Sequence, residues 1–235
     1  VSDRAAEPST PIAVLGAGLR LPGGVSTTPA LWAALRAGRD VTGPVPADRW
    51  DPVRWGTPPR GAFLDDPLRF DAAFFGMSPR EAADTDPAQR LLLEVAWEAL
   101  EQGGRAPDGL VDGRVGVWVG LGLSDWSRRH LHQDDPGRVG PHAATGSLLS
   151  MASGRVAYAL GLRGPALTID TACSSSLVAV HLAAQALRRG EVDLALAGGA
   201  NLLLHPMPSV AFGRLGALSP DGRCRAFDAD ADGYV

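Results

Sequence analysis

The sequence predicts an α/β fold, and three observations carry that prediction. Short apolar runs at Pro11–Leu15, Arg114–Gly120, Ala166–Ile169 and Val192–Ala197 alternate with longer stretches of helical period. Glycines close the runs, as in Gly16-Ala17-Gly18 and Gly198-Gly199. One stretch, PALTIDTACSSSLVAVHLAAQALRRG at 165–190, reads as strand, tight turn and long helix with a single cysteine, Cys173, at the turn.

The elements follow in order. Residues 1 to 10 are polar with two prolines and read as a linker tail. Pro11–Leu15 is a strand candidate running into Gly16-Ala17-Gly18, but the third glycine of a dinucleotide fingerprint falls at Leu21, so that reading fails. Thr28-Pro29 predicts a helix start with Thr28 as N-cap and Leu31, Trp32 and Leu35 as its apolar side, ending at Gly38. Residues 40 to 62 lack periodicity and read as an ordered loop, since Trp50 and Trp55 are costly to leave in water. The three phenylalanines of FDAAFF, 70–75, leave two readings, an apolar tunnel and core packing, of which core packing is the better.

Ser78-Pro79-Arg80-Glu81 is a capping box, and Asp86-Pro87 starts a second helix that runs to Gln102 and stops at Gly103-Gly104. Its Leu91, Leu92, Val95, Ala96 and Leu100 form the buried side, and Glu94, Glu98 and Glu101 the solvated one. RVGVWVG is a buried strand whose glycines permit close approach. Residues 122 to 142 carry His130, His132 and His142, whose spacing matches no metal-ligand pattern, so a surface loop is expected. Gly146–Leu160 reads as one helix of small residues, VDLALA as a further buried strand, and 219–223 as a turn.

Composition narrows the function classes. The 235 residues are 45% hydrophobic, enough for a globular core, and the net charge of −4 gives no electrostatic reason to expect nucleic acid or an anionic membrane. The basic residues are all arginine, which excludes a Schiff-base or phosphate-loop lysine within this chain. Two cysteines, Cys173 and Cys224, make no disulfide framework, so a reduced, cytoplasmic setting is expected. No apolar run approaches the ~18 residues of a membrane span.

The cysteine stretch is the candidate site. A thiol at a helix N-terminus faces unpaired amides and the positive end of the macrodipole, which favours the nucleophilic thiolate. A cysteine can also be a packing residue, but Cys173 sits among Thr171, Ser174, Ser175 and Ser176 rather than apolar neighbours. The polar residues of the following helix, His181, Gln185, Arg188 and Arg189, form one narrow stripe; the helix is therefore expected to be buried on most sides, between layers. Cys224, between Arg223 and Arg225, has nothing nearby to work with.

DTACSSSLVAVHLAAQAL resembles the nucleophile motif of β-ketoacyl synthases, closest to the ketosynthase domains of type I polyketide synthases. The resemblance runs from Pro11 to Val235 through PIAVLGAGLRLPGGV, FLDDPLRFDAAFFGMSPREAADTDPAQRLLLEVAWEALE, GRVGVWVG, ASGRVAYALGLRGPALTIDTACSSSLVAVHLA, LALAGGANL and LSPDGRCRAFDADADGYV, all in family order. It implies a thiolase-like fold, two α/β halves packed as αβαβα layers, with residues 11–235 as the N-terminal half of the domain.

The implied reaction has two stages. An acyl group passes from the phosphopantetheine arm of an acyl carrier protein to Cys173, the implied catalytic residue, whose backbone N–H is one oxyanion donor. A malonyl-type extender is then decarboxylated and its carbanion attacks the thioester. The chain is expected to bind no cofactor or metal of its own. Implied partners are the acyl carrier protein, the adjacent acyltransferase and other synthase domains, and a second copy of the chain, paired through the strand 166–169.

The family's second stage needs two histidines and a lysine from motifs downstream of these segments. His181 lies eight residues beyond Cys173, about 12 Å of helical rise, too far for a direct hydrogen bond, and the HPMP around His205 is no family motif. The expectation is a fragment that accepts acyl groups without condensing them and folds poorly alone. A fatty-acid condensing enzyme, or a non-condensing acyl-holding partner, is the nearest alternative.

Overall fold

Side chains able to accept from unpaired amides mark several of the helix starts. The computed structural model describes residues 10–131 and 134–235, the side chain of Arg129 excepted. The linker read at 1 to 10, apart from Thr10, and His132 lie outside the described residues. Helix α1 spans Thr28–Arg36. Its N-cap is Thr27, not Thr28: the Thr27 hydroxyl accepts from the Ala30 N–H at 3.2 Å, three residues on, which is the reach of a cap. Strand β1 (Gly43–Pro44), helix α2 (Pro52–Trp55) and strand β2 (Arg60–Gly61) give the 40–62 loop its order, β1 and β2 pairing antiparallel. Trp50 is buried and donates to Thr57 Oγ1 at 3.0 Å, whereas Trp55 stays partly exposed beside His205.

Helix α3 is Pro79–Asp84, capped by Ser78 Oγ accepting from Glu81 N–H at 3.1 Å, and helix α4 is Pro87–Gln102, with Asp86 Oδ1 accepting from Ala88 N–H at 2.7 Å. Strand β3 is Val115–Gly120 and helix α5 is Trp126–His130. The single helix expected at 146–160 is two, α6 (Ala143–Ser147) and α7 (Met151–Ala159). The buried Gln89 amide donates to the Gly146 and Leu148 carbonyls, and Asp86 N–H also bonds Gly146 O, so these carbonyls are taken and Leu148 turns extended. Strand β4 (Ala166–Ile169), helix α8 (Ser175–Arg188), strand β5 (Leu194–Gly199) and helix α9 (Met207–Arg214) complete the order.

The chain divides into two units. Unit 1 takes the described residues up to Ala17, Leu92–Gly122 and Leu149–Ala200. Its sheet is parallel in the order β4-β3-β5, so β3 is central and every residue of it is buried. Register aligns Trp118 with Leu167 and Ala197, and Val119 with Thr168 and Gly198. Neighbours in parallel register share a face. Trp118 packs with Ala179, Ala183 and Ala186 of α8, so α8 covers the Trp118 face. Ser153 of α7 bonds Thr168, so α7 covers the Val119 face. The result is helix, sheet, helix.

Two expectations change here. β5 is half-exposed rather than buried, because it is an edge with one neighbour. Helix α8 buries one face only, through Ser175, Ala179, Ala183 and Ala186, while Leu177 is 74% exposed and Val180 50%. Its polar stripe is as expected, with the His181 and Gln185 side chains 2.8 Å apart. Pro11–Leu15 forms no strand; this segment follows the end of α4, where Ala17 N–H reaches Gln102 Oε1 and Gly16 lies against the Ala99 carbonyl.

Unit 2 takes Gly18–Leu91, Leu123–Leu148 and Asn201–Val235. Phe70 and Phe75 stack at 5.4 Å and Phe74 packs edge-on to Phe75, yet Phe74 stays exposed, so the cluster is less buried than core packing implies. The last segment closes on itself: Ser219 N–H bonds Tyr234 O, and Arg225 bridges Asp221 and Asp232. That guanidinium, with Ser219, holds the Asp221 carboxyl down at about 2. A cavity of about 150 Å³ in this unit is lined by Trp50, Phe63, Leu123, Leu203, Phe212 and Tyr234, among others.

Candidate active site

Strand β4 delivers the chain to the cysteine. Its ladder ends where Leu121 N–H bonds Ile169 O at 3.0 Å. Asp170 Oδ1 then accepts from Ala172 N–H at 3.0 Å, starting a tight turn. Ala172 sits at φ +55°, the left-handed region, which costs a non-glycine residue about 1–2 kcal/mol. That turn reverses the chain so that Cys173 stands exposed at its tip, one residue before Ser174, which occupies the N-cap position of α8 without a side-chain cap bond.

Hydroxyls hold the turn from both sides. Ser174 Oγ donates to Thr171 O at 2.9 Å and lies 2.8 Å from Thr171 Oγ1. Ser175 Oγ donates to Ala172 O at 2.6 Å and accepts from Thr171 N–H at 2.9 Å. Ser175 is itself buried, because the end of β3 comes against it: a Cβ on Gly120 would stand 2.6 Å from Ser176 N and 2.7 Å from Ser175 C. The expected close approach of glycine strands is therefore located at the cysteine turn. In the sequence the three serines mark only a polar turn. The signal for the clamp is the run of hydroxyls one to three residues on either side of a cysteine that follows a strand-ending aspartate.

Three of the described histidines have contacts of their own. His181 is exposed on α8 and paired with Gln185. In unit 2, His205 Nδ1 accepts from Met207 N–H and its ring packs on Trp55, while His130 faces Asp84 and stacks on Trp126. Asp125 accepts from the Leu204 and His205 amides, and burial pushes its carboxyl up. Burial does the same to Asp86 against the opposing pull of Ser124, Ala88 N–H and Arg90. Both cysteines are free thiols, Cys224 Sγ accepting from Val235 N–H at 3.2 Å. Among the described residues no group of three or more His, Cys, Asp or Glu side chains could hold a metal, and no helix is long and apolar enough to cross a membrane.

The family model described as the N-terminal domain of β-ketoacyl synthase matches residues 9–235. The chain belongs to the β-ketoacyl synthase family. This ketosynthase chain is 48% identical to a mycocerosic acid synthase-like polyketide synthase of Mycolicibacterium smegmatis, over 96% of its own length and 11% of that protein's. It is 50% identical to a phenolphthiocerol/phthiocerol polyketide synthase of Mycobacterium tuberculosis, over 96% of its length and 15% of that protein's. Its fold superposes on an oxazolomycin ketosynthase domain of Streptomyces albus with a TM-score of 0.85 at 38% identity, covering 94% of this chain and 40% of that one. The ketosynthase from module 6 of the bacillaene synthase of Bacillus subtilis matches with a TM-score of 0.83 at 37% identity, over 94% of this chain and 37% of that one. The αβα arrangement of unit 1 is thus part of a thiolase-like ketosynthase fold, and the chain covers the N-terminal part of it.

Proposed function

We propose that residues 11–235 are the N-terminal, acyl-accepting half of a polyketide ketosynthase domain and that Cys173 is its nucleophile. The supporting observation is the exposed Cys173 at the tip of a clamped turn between β4 and α8. The Cys173 thiolate attacks the carbonyl carbon of an acyl thioester on the phosphopantetheine arm of an acyl carrier protein. The new C–S bond forms as the old one breaks, and the pantetheine sulfur leaves as a thiolate that takes a proton. Backbone N–H groups at the turn, that of Cys173 included, stabilise the oxyanion, an arrangement worth several kcal/mol.

Condensation follows on a malonyl-type extender. Its carboxylate leaves as carbon dioxide, the electron pair stays on the α-carbon, and that carbon attacks the Cys173 thioester, expelling the thiolate. The histidines and lysine for this stage match none of the residues here, so residues 1–235 supply the loading nucleophile and not the condensing groups. The carrier protein and the acyltransferase and other synthase domains are the partners, and the free edge of β4 pairs with a second copy. Cys173→Ala in the full-length protein, incubated with an acyl-pantetheine thioester, is expected to abolish the acyl mass increment. An increment retained on the variant overturns the reading.

A further inference from the structure

A serine two residues beyond the cysteine has no part in the reaction just described, yet it makes the turn's most central bonds. The Ser175 hydroxyl is buried, 7% exposed, and uses one donor and one acceptor on two backbone groups, the Ala172 carbonyl and the Thr171 N–H, that span Thr171 and Ala172. It donates to the Ala172 carbonyl at 2.6 Å, which also takes the Ser175 N–H at 3.1 Å, and it accepts from Thr171 N–H at 2.9 Å. These bonds bracket Ala172, the left-handed residue that aims Cys173.

We infer that Ser175 is a positioning residue for the nucleophile: its hydroxyl locks Ala172 left-handed and so fixes where Cys173 meets an acyl thioester. The inference rests on Cys173 being the acyl acceptor. Alanine relaxes from a positive φ toward the extended region once nothing holds it, carrying the next residue with it. Ser174 cannot substitute, because it is exposed and its hydroxyl is engaged with Thr171 alone. The contact of Ser175 and Ser176 with Gly120 fixes the hydroxyl to the sheet rather than to the turn alone. A serine that merely capped α8 would reach forward to an amide of the first helical turn; this one reaches back across the cysteine.

The test is the rate of acyl transfer to Cys173 in the full-length protein, normalised to folded molecules, for Ser175→Ala and Ser175→Thr, each in the parent and in an Ala172→Gly background. Displacing a reacting group by about 1 Å costs up to ~100-fold, so Ser175→Ala is expected to slow loading by about 10- to 100-fold. Ser175→Thr, which keeps the hydroxyl, recovers most of the rate. Glycine takes positive φ without penalty, so in the Ala172→Gly background the loss shrinks to about threefold or less. A structural cap would not produce that coupling. Parental loading by Ser175→Ala overturns the inference, as does an equal loss, or failure to fold, in both backgrounds. Folding only in the Ala172→Gly background supports it. Loading that survives Cys173→Ala defeats the proposed function instead, so the two failures are told apart.

Discussion

Ala172 concentrates the local cost of the site in one backbone angle, φ +55°. Glycine removes the Cβ clash of about 1–2 kcal/mol but adds about 0.5–1 kcal/mol of unfolded-state entropy, so Ala172→Gly is expected to raise stability by up to ~1 kcal/mol. Ala172→Val places a β-branched side chain where it is a genuine outlier and is expected to destabilise. Thermal melts of the two variants check the opposite signs. Cys173, by contrast, is exposed at the turn's tip and packs into no core, so Cys173→Ala is expected to cost loading while leaving the melt within about 0.5 kcal/mol.

At the scale of elements, the junction of β3 with α8 leaves no room for a methyl group. Gly120→Ala puts a carbon 2.6 Å from Ser176 N and 2.7 Å from Ser175 C, both backbone atoms. Overpacking of this kind costs about 1–3 kcal/mol, and the loss should appear in the melt together with slower loading, because the same backbone carries the clamp. Helix α4 supplies a pH-dependent case. Burial holds the Asp86 carboxyl above its ordinary 3.8, so the folded state binds the proton more tightly than the unfolded chain. That contribution to stability is therefore greatest at low pH and is lost as pH rises through the folded value. Asp86→Asn removes the titration and keeps an oxygen for the Ala88 N–H. The variant is expected to gain stability relative to the parent as pH is raised from about 4 to about 7, read from melts across that range; a flat difference counts against burial as the cause.

For the whole molecule, the faces that α8 and β4 leave open matter most. Leu177 and Val180 stand exposed on α8, Leu167 on the edge strand, and Tyr158 on α7. Exposed apolar surface of this kind favours association over a single folded state. Residues 1–235 expressed alone are expected to melt without a sharp transition and to bind a hydrophobic dye; a cooperative melt with no dye binding would contradict this.

Much of the chain is legible from local rules. The limits of α4 and β4, the Ser78 cap and the strand–turn–helix around Cys173 follow directly from the sequence, because caps, prolines and period act over three or four residues. The alternation of strand and helix determined the α/β class, and the ordered motifs determined the family. Other features depend on contacts distant in sequence. The break between α6 and α7 requires Gln89, 57 residues before Gly146, to capture carbonyls there. The edge position of β5 follows from the strand order, which no single run encodes. The burial of Ser175 depends on Gly120, brought against α8 by the sheet. The sequence by itself determined that a cysteine would sit at this turn. Only the tertiary structure decided how the turn is buried and backed, because the Gly120 backbone reaches Ser175 and Ser176 through the sheet and not through local sequence.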